Sequence, residues 1–371
     1  MTPAQNVYSR LGVKTLINGQ GTVTVVGGSL MPPEVVQAMA EAAGWFVSIP
    51  ELQDKAGARV ASLLGVPAAM VTAGAASAIA VAAAACMVRD KPSAIDRLPE
   101  ADGLPNEVIL QKAHKSRYEA QMAQAGAKVV WVETREELDR AINPRTAMMF
   151  FLNRFGPLGA IQRREWIEVG KLRGVPTFLD AAADVPPISR FSEYIREGFD
   201  LVTFSGGKAI RGPQASGLLI GRADLIAAGR LAISPNMGIG RAMKVGKEEI
   251  VGLLAALERY LKLDHDAEWR TWEARSSDLV ADLEKIPGMS ARREVAEIAN
   301  HVPQVVAEWS PHHSPLVAAE VVRKLWDGDP RVALLAEGER GLRIMVWTLR
   351  DDEHRVVANQ IRRIFREAED R

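Results

Sequence analysis

Short runs of mostly apolar residues alternate with amphipathic stretches along the first two thirds of the chain. Runs of this length that are apolar on both faces are typical of strands buried in a parallel sheet. Seven runs fit that description: residues 69–72, 107–110, 128–132, 147–151, 177–180, 201–204 and 217–221. Helical patterns such as 116–125 and 164–173 separate several of them. The pattern therefore predicts an α/β fold, with a mostly parallel seven-stranded sheet covered by helices on both faces.

The sequence on either side of this region has a different character. Residues 1–30 are rich in glycine and threonine, which predicts an N-terminal arm ahead of a large domain at 31–245. A polar helical pattern over 246–285 predicts one long helix that links this domain to the rest. Residues 286–371 alternate strand-like runs with helical patterns and predict a smaller α+β domain.

The overall composition narrows the possible partners and compartments. The 371 residues include 46 basic and 46 acidic side chains, so there is no general charge attraction to nucleic acid or to an anionic membrane. Cys86 is the one cysteine, which excludes an internal disulfide and fits a reducing compartment, so we expect a cytoplasmic protein. Its apolar surroundings predict a core position. The six histidines show no ligand spacing, and we expect no metal.

Two charged residues lie where predicted strands end. Asp180 closes the run 177–180, and Lys208 follows the run 201–204 after a Ser-Gly-Gly turn. Active sites in sheets of this kind form at the carboxyl ends of the strands. An amine and a carboxylate at that place suit pyridoxal 5′-phosphate, because a lysine forms the Schiff base and a carboxylate keeps the pyridine nitrogen protonated.

A third feature predicts where a phosphate group binds. Residues 72–77, Thr-Ala-Gly-Ala-Ala-Ser, follow a predicted strand and open an alanine-rich helix. Backbone N–H groups of Gly74, Ala75 and Ala76 at such a helix N-terminus suit an anion, although small residues also allow tight packing on a sheet. Together with Asp180 and Lys208 they indicate a phosphate site, to which Ser205 can add a hydroxyl group.

With these features the sequence resembles a known family, the fold-type I pyridoxal-phosphate enzymes of the selenocysteine synthase-like group. It is most similar to the branch that includes D-glucosaminate-6-phosphate ammonia-lyase. Five stretches carry the resemblance: LINGQGTVT (16–24), VTAGAA (71–76), DAAA (180–183), FSGGKAIRGPQ (204–214) and IGRAMKVGK (239–247). The resemblance covers most of residues 8–260 and implies an aspartate aminotransferase-like large domain.

The resemblance also implies roles for individual residues. Lys208 is expected to form the Schiff base and Asp180 to pair with the pyridinium nitrogen. Ala182 is expected to pack under the cofactor ring and His114 to stack on it, although a surface loop histidine is the alternative for His114.

Substrate-binding residues are less well defined by the sequence. An amino-acid carboxylate suits the fork of an arginine, and the candidates are Arg211, Arg241, Arg343 and Arg350. Asn18, Thr22 and Thr24 lie in a glycine-rich segment that relatives fold toward the active site. They are expected either to bind substrate hydroxyl groups or to form turns.

These expectations favour a pyridoxal-phosphate lyase acting on an amino acid with a leaving group at the β-carbon. Abstraction of the α-proton by Lys208 and loss of a β-hydroxyl group give a keto acid and ammonia. A sugar-acid-like substrate is implied by the resemblance alone. Transaminase, racemase, aldolase and β-replacement or selenium-transferase reactions share the first steps and stay open.

The expected partners follow from the same resemblance. It implies a homo-oligomer with sites at the subunit boundary, to which Arg241 is the arginine expected to cross. Selenocysteine synthase carries an additional N-terminal domain for its tRNA, whereas this sequence begins close to the core, so we expect a small amino-acid substrate and no nucleic acid. A non-catalytic or RNA-associated scaffold is the alternative of another class. Lys208 and Asp180 argue against it, because a scaffold needs neither.

Overall fold

The computed structural model describes residues 6–369, which divide into two compact units. The large unit consists of residues 29–263 and 298–300, and the small unit of residues 6–28, 264–297 and 301–369. Most of the predicted arm therefore groups with the predicted C-terminal domain, although the sequence separates them. Residues 1–5 of that arm, and 370–371 of that domain, lie outside the described residues.

Within the described residues the chain forms thirteen β-strands, numbered in chain order. They are β1 (Leu16–Asn18), β2 (Ala68–Thr72), β3 (Glu107–Gln111), β4 (Lys128–Val132), β5 (Thr146–Leu152), β6 (Thr177–Asp180), β7 (Leu201–Ser205), β8 (Gly217–Gly221), β9 (Met289–Val295), β10 (Pro303–Trp309), β11 (Arg331–Ala333), β12 (Leu335–Ala336) and β13 (Gly341–Ile344).

The same residues form thirteen α-helices. They are α1 (Val7–Arg10), α2 (Pro33–Ala43), α3 (Ile49–Leu64), α4 (Ala75–Met87), α5 (Glu119–Gln124), α6 (Arg135–Ala141), α7 (Arg163–Arg173), α8 (Arg190–Glu197), α9 (Ala223–Ala232), α10 (Lys247–Tyr260), α11 (His265–Leu283), α12 (Ala318–Asp327) and α13 (Glu353–Glu369). Two 3-10 turns, Lys112–His114 and Asn153–Leu158, directly follow β3 and β5.

The large unit contains a seven-stranded sheet in the order β2-β8-β7-β6-β5-β3-β4. The strands from β3 to β7 run parallel, whereas β8 lies antiparallel between β2 and β7. This confirms the predicted mostly parallel sheet. Each of the seven apolar runs forms a strand, and no predicted limit differs from the observed one by more than one residue.

Helices cover both faces of this sheet. Phe150 of β5 packs in a buried cluster with the alanines of α4, whose residues 78–87 are almost fully buried. The next residue, Phe151, points to the opposite face and contacts Trp166 of α7, with ring centroids 5.9 Å apart. Cys86 belongs to the α4 cluster, so it is the core residue that its sequence context predicts. The structure is therefore an α/β layer with a core on each side of the sheet.

The small unit contains a four-stranded antiparallel sheet in the order β12-β13-β10-β9, and a short parallel pair of β1 with β11. Together with α11, α12 and α13 it has the predicted α+β character. Strand β9 was not predicted. It is an edge strand in which the charged run Arg292, Arg293 and Glu294 interrupts the apolar alternation of Met289, Ala291 and Val295, so the strand pattern is weak.

The prediction of one linking helix over 246–285 is wrong. Helix α10 ends at Tyr260, and α11 begins at His265 after a turn. Asp264 caps α11, because its Oδ1 atom accepts a hydrogen bond from the Ala267 backbone N–H at 2.8 Å. The division between the two units falls at this break, between residues 263 and 264.

Candidate active site

Strand register brings the ends of several strands to one edge of the large sheet. Gly217 lies opposite Thr72 on β2 and opposite Ser205 on β7. Farther along the sheet, Asp180 lies between Thr203 of β7 and Leu152 of β5. We call this the carboxyl edge, since β2, β5, β6 and β7 end there, while β8 begins there.

The turn that carries Lys208 leaves β7 at the carboxyl edge and is held by backbone contacts. The Gly206 N–H donates to the Ser216 carbonyl at 2.9 Å, which closes the loop between β7 and β8. The Ser29 N–H and hydroxyl both donate to the Gly207 carbonyl, at 3.1 and 3.0 Å. A Cβ atom at Gly206 would lie 2.1 Å from the Ser216 Oγ atom, so a larger residue does not fit there.

Asp180 is the last residue of β6 and is 5% exposed. Its Oδ1 atom accepts a hydrogen bond from the Ala182 N–H at 2.9 Å, which fixes the start of the loop after β6. Burial raises the pKa of Asp180 to about 6, while the Ala182 N–H and the charge of Lys208 act in the opposite direction. Ala182 itself is partly exposed at this edge.

Lys208 is partly buried at the same edge. Burial lowers the pKa of its ammonium group, and Arg154 adds to that effect, whereas the carboxylates of Asp180 and Asp184 oppose it. In the described part of the chain its side chain donates no hydrogen bond. The result is an amine that is held near two carboxylates and is easier to deprotonate than an ordinary lysine.

Asp184 is a second buried carboxylate that the sequence did not single out. It is 1% exposed, and its Oδ2 atom accepts hydrogen bonds from Asn153 Nδ2 at 2.5 Å and from the Tyr194 hydroxyl at 2.9 Å. Burial raises the pKa of Asp184 despite these two donors. Tyr194 and Asn153 lie on α8 and after β5, so only the folded structure brings the three side chains together.

The loop between β2 and α4 is tightly placed against β8. Gly74 is the N-cap of α4 and has a φ of 131°, which a residue with a side chain rarely adopts. Its carbonyl accepts hydrogen bonds from Thr72 Oγ1 at 3.0 Å and Ser77 Oγ at 2.8 Å. A Cβ atom at Gly217 would lie 2.6 Å from the Gly74 carbonyl carbon, so β8 and the loop are in direct backbone contact.

The predicted phosphate residues are partly exposed at this helix N-terminus. Gly74, Ala75 and Ala76 all lie at the start of α4 and keep accessible surface, and so does Ser205 at the end of β7. The first N–H groups of a helix have no acceptor within it and point outward along its axis. Gly217 of β8 is in register with Thr72 of β2 and with Ser205 of β7, so Ser205 and this helix start lie at strand ends that are separated by β8.

The prediction that His114 stacks on the cofactor ring is not supported. His114 is fully buried, with its ring edge-on to Phe151 at a centroid distance of 4.5 Å. Its Nδ1 atom accepts a hydrogen bond from the Leu152 N–H at 3.3 Å. Burial lowers the pKa of His114 to about 4. A ring without an exposed face cannot stack on a ligand, so we assign His114 to the packing beneath the edge. The surface-loop alternative is excluded for the same reason.

Two of the predicted substrate arginines are engaged by carboxylates of the small unit. Arg343 on β13 is paired with Glu337 at 2.7 Å and with Glu294 at 3.0 Å. Arg350 is paired with Glu353 at 3.0 Å. Both guanidinium groups are therefore paired with acidic side chains of their own unit in this arrangement.

The other two predicted arginines belong to the large unit. Arg211 follows Lys208 by three residues and closes its turn, because the Arg211 N–H donates to the Lys208 carbonyl at 2.9 Å. Arg241 is exposed and donates from Nη1 to Ser234 Oγ at 3.1 Å.

Two of the three polar residues of the glycine-rich segment, Asn18 and Thr24, lie in turns. Asn18 Oδ1 accepts from the N–H groups of Gln20 and Gly21 at 3.0 and 3.2 Å, and its Nδ2 donates to the Gly21 carbonyl at 3.0 Å. Thr22 is 8% exposed, and Thr24 begins a 3-10 turn. The turn-forming alternative therefore fits Asn18 directly.

Between residues 6 and 369, no helix has the length and apolar character needed to cross a bilayer. Over the same residues, no group of three or more histidine, cysteine or acidic side chains is placed to hold a metal ion.

The carboxyl edge has the groups that pyridoxal 5′-phosphate requires. It offers the Lys208 amine, a buried carboxylate at Asp180 and an open helix N-terminus at Gly74, all within one sheet edge. The partly exposed methyl group of Ala182 lies two residues after the carboxylate, where a flat ring can pack. The residues present therefore fit the cofactor.

Comparison with known proteins places the chain in a family. The L-seryl-tRNA selenium transferase family matches residues 16–272. A 5′-C-glycyluridine monooxygenase-decarboxylase from a Streptomyces species is 33% identical over 342 residues, which are 88% of this chain and 83% of that protein. The D-glucosaminate-6-phosphate ammonia lyase of Salmonella typhimurium is 32% identical over 340 residues, which are 89% of this chain and 88% of that protein.

A solved structure of D-glucosaminate-6-phosphate ammonia-lyase has the same fold. It superposes with a TM-score of 0.85 at 28% sequence identity, and the match covers 100% of both chains. The family match spans more than half of the chain and includes Gly74, Asp180 and Lys208. The protein therefore belongs to the L-seryl-tRNA selenium transferase family and is a pyridoxal 5′-phosphate-dependent enzyme of fold type I.

Proposed function

We propose that this protein is a lyase that removes the β-hydroxyl and amino groups of a β-hydroxy amino acid and releases a 2-keto acid and ammonia. The observation that carries the proposal is Lys208, a partly buried amine beside the carboxylate of Asp180. The relative from Salmonella supports the reaction, since its name specifies an ammonia lyase acting on a phosphorylated amino sugar acid. We take a sugar-acid-like hydroxy amino acid as the substrate class.

Each residue of the carboxyl edge has a role in this proposal. Lys208 would be the covalent attachment point of the cofactor, and Asp180 would hold its pyridine nitrogen. The N–H groups of Gly74, Ala75 and Ala76, with the Ser205 hydroxyl, bind the phosphate, and Ala182 packs against the ring. The bound cofactor supplies an electron sink for the negative charge that forms at the substrate α-carbon.

Lys208 also moves the protons of the reaction. Burial lowers its pKa, so a larger fraction is free amine near neutral pH than in an exposed lysine. With the substrate bound at the cofactor site, the Lys208 Nζ atom would accept the α-proton. The resulting ammonium group then donates a proton to the hydroxyl group as it leaves. Addition of water completes the balance, giving one keto acid and one ammonium ion per substrate.

The first prediction tests Lys208. Lys208→Ala is expected to abolish covalent cofactor attachment, and with it the visible absorption band that borohydride removes from the wild type. Turnover should fall at least about 100-fold, since a general base is lost as well. Keto-acid and ammonia release from a panel of β-hydroxy amino acids measures the activity.

A matched control uses Lys91→Ala. Lys91 is exposed and follows α4, away from the carboxyl edge, so this variant should keep both the band and the activity. A Lys208→Ala protein that retained the borohydride-sensitive band and full turnover would refute the assignment. Because the Streptomyces relative is named a monooxygenase-decarboxylase, the assay is run with and without oxygen. Release that required oxygen, with carbon dioxide as a product, would overturn the lyase reaction.

The assembly and the compartment are part of the same proposal. Trp45 and Phe46, in the loop between α2 and α3, are 70% and 105% exposed, and the neighbouring Val47 is 50% exposed. Such a run of exposed apolar residues favours a homo-oligomer. That the sites lie at the subunit boundary, with Arg241 as the arginine contributed across it, is a further part of the proposal. A single cysteine in 371 residues favours the cytoplasm.

A further inference from the structure

Arg154 is a cation at the carboxyl edge to which the sequence assigned no function. It lies in the 3-10 turn Asn153–Leu158, two residues after Leu152, the last residue of β5. Leu152 is in register with Asp180, so Arg154 extends past the end of the sheet beside the strand that carries the carboxylate. Its side chain is exposed.

The neighbouring cations are committed to other groups, whereas Arg154 is not paired with a carboxylate within residues 6–369. Arg163 donates to Asn153 Oδ1 at 3.2 Å and is paired with Glu197 at 3.1 Å. Arg190 donates to the Asp184 carbonyl at 2.9 Å. Arg154 instead contacts the Phe155 ring, whose centroid lies 5.9 Å from the Arg154 Cζ atom. That contact leaves the guanidinium fork available for an anion.

Arg154 is also close enough to Lys208 to affect it electrostatically. Its positive charge lowers the pKa of the Lys208 ammonium group, in addition to the larger effect of burial. Lys208 is proposed to take the proton from the substrate α-carbon. A carboxylate bonded to that carbon is therefore close enough to Arg154 to be attracted by its charge.

We propose that Arg154 binds the α-carboxylate of the substrate and so selects amino acids over amines. This inference rests on the proposed attachment of the cofactor at Lys208, which places the substrate α-carbon at the carboxyl edge. A planar guanidinium group matches the two oxygens of a carboxylate, which a lysine ammonium does not. Arg154 takes this role in place of Arg343 and Arg350, whose guanidinium groups are paired with glutamates.

The test compares two ligands that differ by the carboxylate alone, serine (both enantiomers) and 2-aminoethanol. Each is titrated into the cofactor-loaded protein while the visible spectrum reports binding. We expect wild type to bind serine more tightly than 2-aminoethanol. Arg154→Gln should weaken serine binding about 10- to 100-fold, the usual size of a lost charge-assisted contact, and leave 2-aminoethanol binding unchanged. Arg154→Lys should restore only part of the difference.

Arg173→Gln is the matched control. Arg173 is also exposed, but it ends α7 ahead of β6 and so lies at the opposite edge of the sheet. This variant should bind both ligands as wild type does. The inference would be overturned if wild type bound both ligands equally well or responded to neither. It would also be overturned if Arg154→Gln kept the wild-type affinity for serine, or if it lost affinity for both ligands equally. The last would indicate a contact with the cofactor rather than the carboxylate.

A second measurement uses the cofactor-free protein and does not depend on activity. The pH dependence of acetic anhydride labelling of Lys208 reports its pKa. Arg154→Gln should raise that pKa, whereas Arg173→Gln should not. An unchanged Lys208 pKa in Arg154→Gln would show that Arg154 lies too far from the reacting centre. Failure of the proposed function would instead appear in wild type, as a protein that attaches no cofactor at Lys208.

Discussion

At the scale of single residues, burial acts in opposite directions on two side chains of the carboxyl edge. It raises the pKa of Asp180 to about 6 and lowers the pKa of His114 to about 4. Both shifts favour the neutral form of the group, as removal of water always does. The cofactor-free protein therefore holds a carboxyl group that resists ionisation at the place where the bound cofactor requires a carboxylate.

Asp180→Asn tests this consequence. The pKa of Asp180 is higher in the folded protein than in the unfolded chain, where it is about 4. The folded state thus holds the proton more tightly, and the contribution of Asp180 to stability is lost as the pH rises from about 4 to about 6. Relative to the variant, cofactor-free wild type should lose about 3 kcal/mol of unfolding free energy across that window, since each pKa unit corresponds to about 1.4 kcal/mol.

Urea unfolding of both cofactor-free proteins on either side of this window measures the effect. In the loaded enzyme the same variant should retain its cofactor through Lys208 but exchange the α-proton at least about 100-fold more slowly, because a buried ionic partner is removed. Parallel pH profiles for the two proteins, or an unchanged exchange rate, would contradict the role of Asp180.

The sequence identified some of these residues and missed others for a physical reason. Asp180 ends a buried strand and Lys208 follows another after a short turn, so the strand pattern alone places them at one edge. Arg154 and Asp184 lie in irregular segments, and their importance depends on charges contributed by distant parts of the chain. His114 follows a strand as well, but the pattern cannot tell that its ring turns inward.

At the scale of elements, the contact between β8 and the start of α4 determines the shape of the phosphate loop. The backbones of β8 and of this loop are in direct contact, because Gly217 has no side chain and Gly74 adopts a positive φ. Any side chain at Gly217 would push β8 away from the helix N-terminus.

Gly217→Ala should therefore weaken cofactor binding as well as stability. Its Cβ atom would lie 2.6 Å from the Gly74 carbonyl carbon and 2.8 Å from the Ala75 nitrogen. We expect a loss of about 1–3 kcal/mol in unfolding free energy, as for other overpacked sites, and a higher dissociation constant for the cofactor. Equilibrium dialysis and urea unfolding give the two values.

Gly65→Ala provides the comparison for this element. Gly65 ends α3 with a φ of 64°, and a Cβ atom there would meet nothing within 4 Å. It should cost about 1 kcal/mol through backbone strain alone and leave cofactor affinity unchanged. Equal cofactor affinity in the two variants would show that the β8 contact does not shape the loop.

Prediction at this scale succeeded where one physical signal dominated. The strands of the large sheet are apolar on both faces, so their positions could be read from composition. Strand β9 is a charged edge, and its pairing with β10 depends on backbone hydrogen bonds that no side-chain pattern records. The break at Asp264 was missed because the polar pattern continues across it, and the cap acts through one carboxylate.

At the scale of the whole molecule, the exposed loop between α2 and α3 predicts association. Replacing Trp45 and Phe46 by serine should turn an oligomer into monomers in sedimentation velocity experiments. Burial of an aromatic side chain is worth roughly 1.5–3 kcal/mol, so the dissociation constant should rise at least about 100-fold. Leu172→Ser, at an isolated residue that is 77% exposed, should leave the assembly intact. A wild-type protein that sediments as an active monomer would contradict the expected oligomer.

The antiparallel position of β8 has a consequence for the order in which the chain can fold during synthesis. Strand β2 lies at the sheet edge and, in the described part of the chain, pairs with β8 alone. Gly217 follows Thr72 by about 145 residues, which a ribosome adds in roughly 7–30 s at its usual rate. Throughout that interval β2, the strand ahead of the phosphate loop, has no partner strand, although α3 already packs on it. The phosphate loop and β8 thus come into contact only after Lys208 has been made, so the order of the strands along the chain makes the cofactor's attachment point before the sheet around the loop is complete.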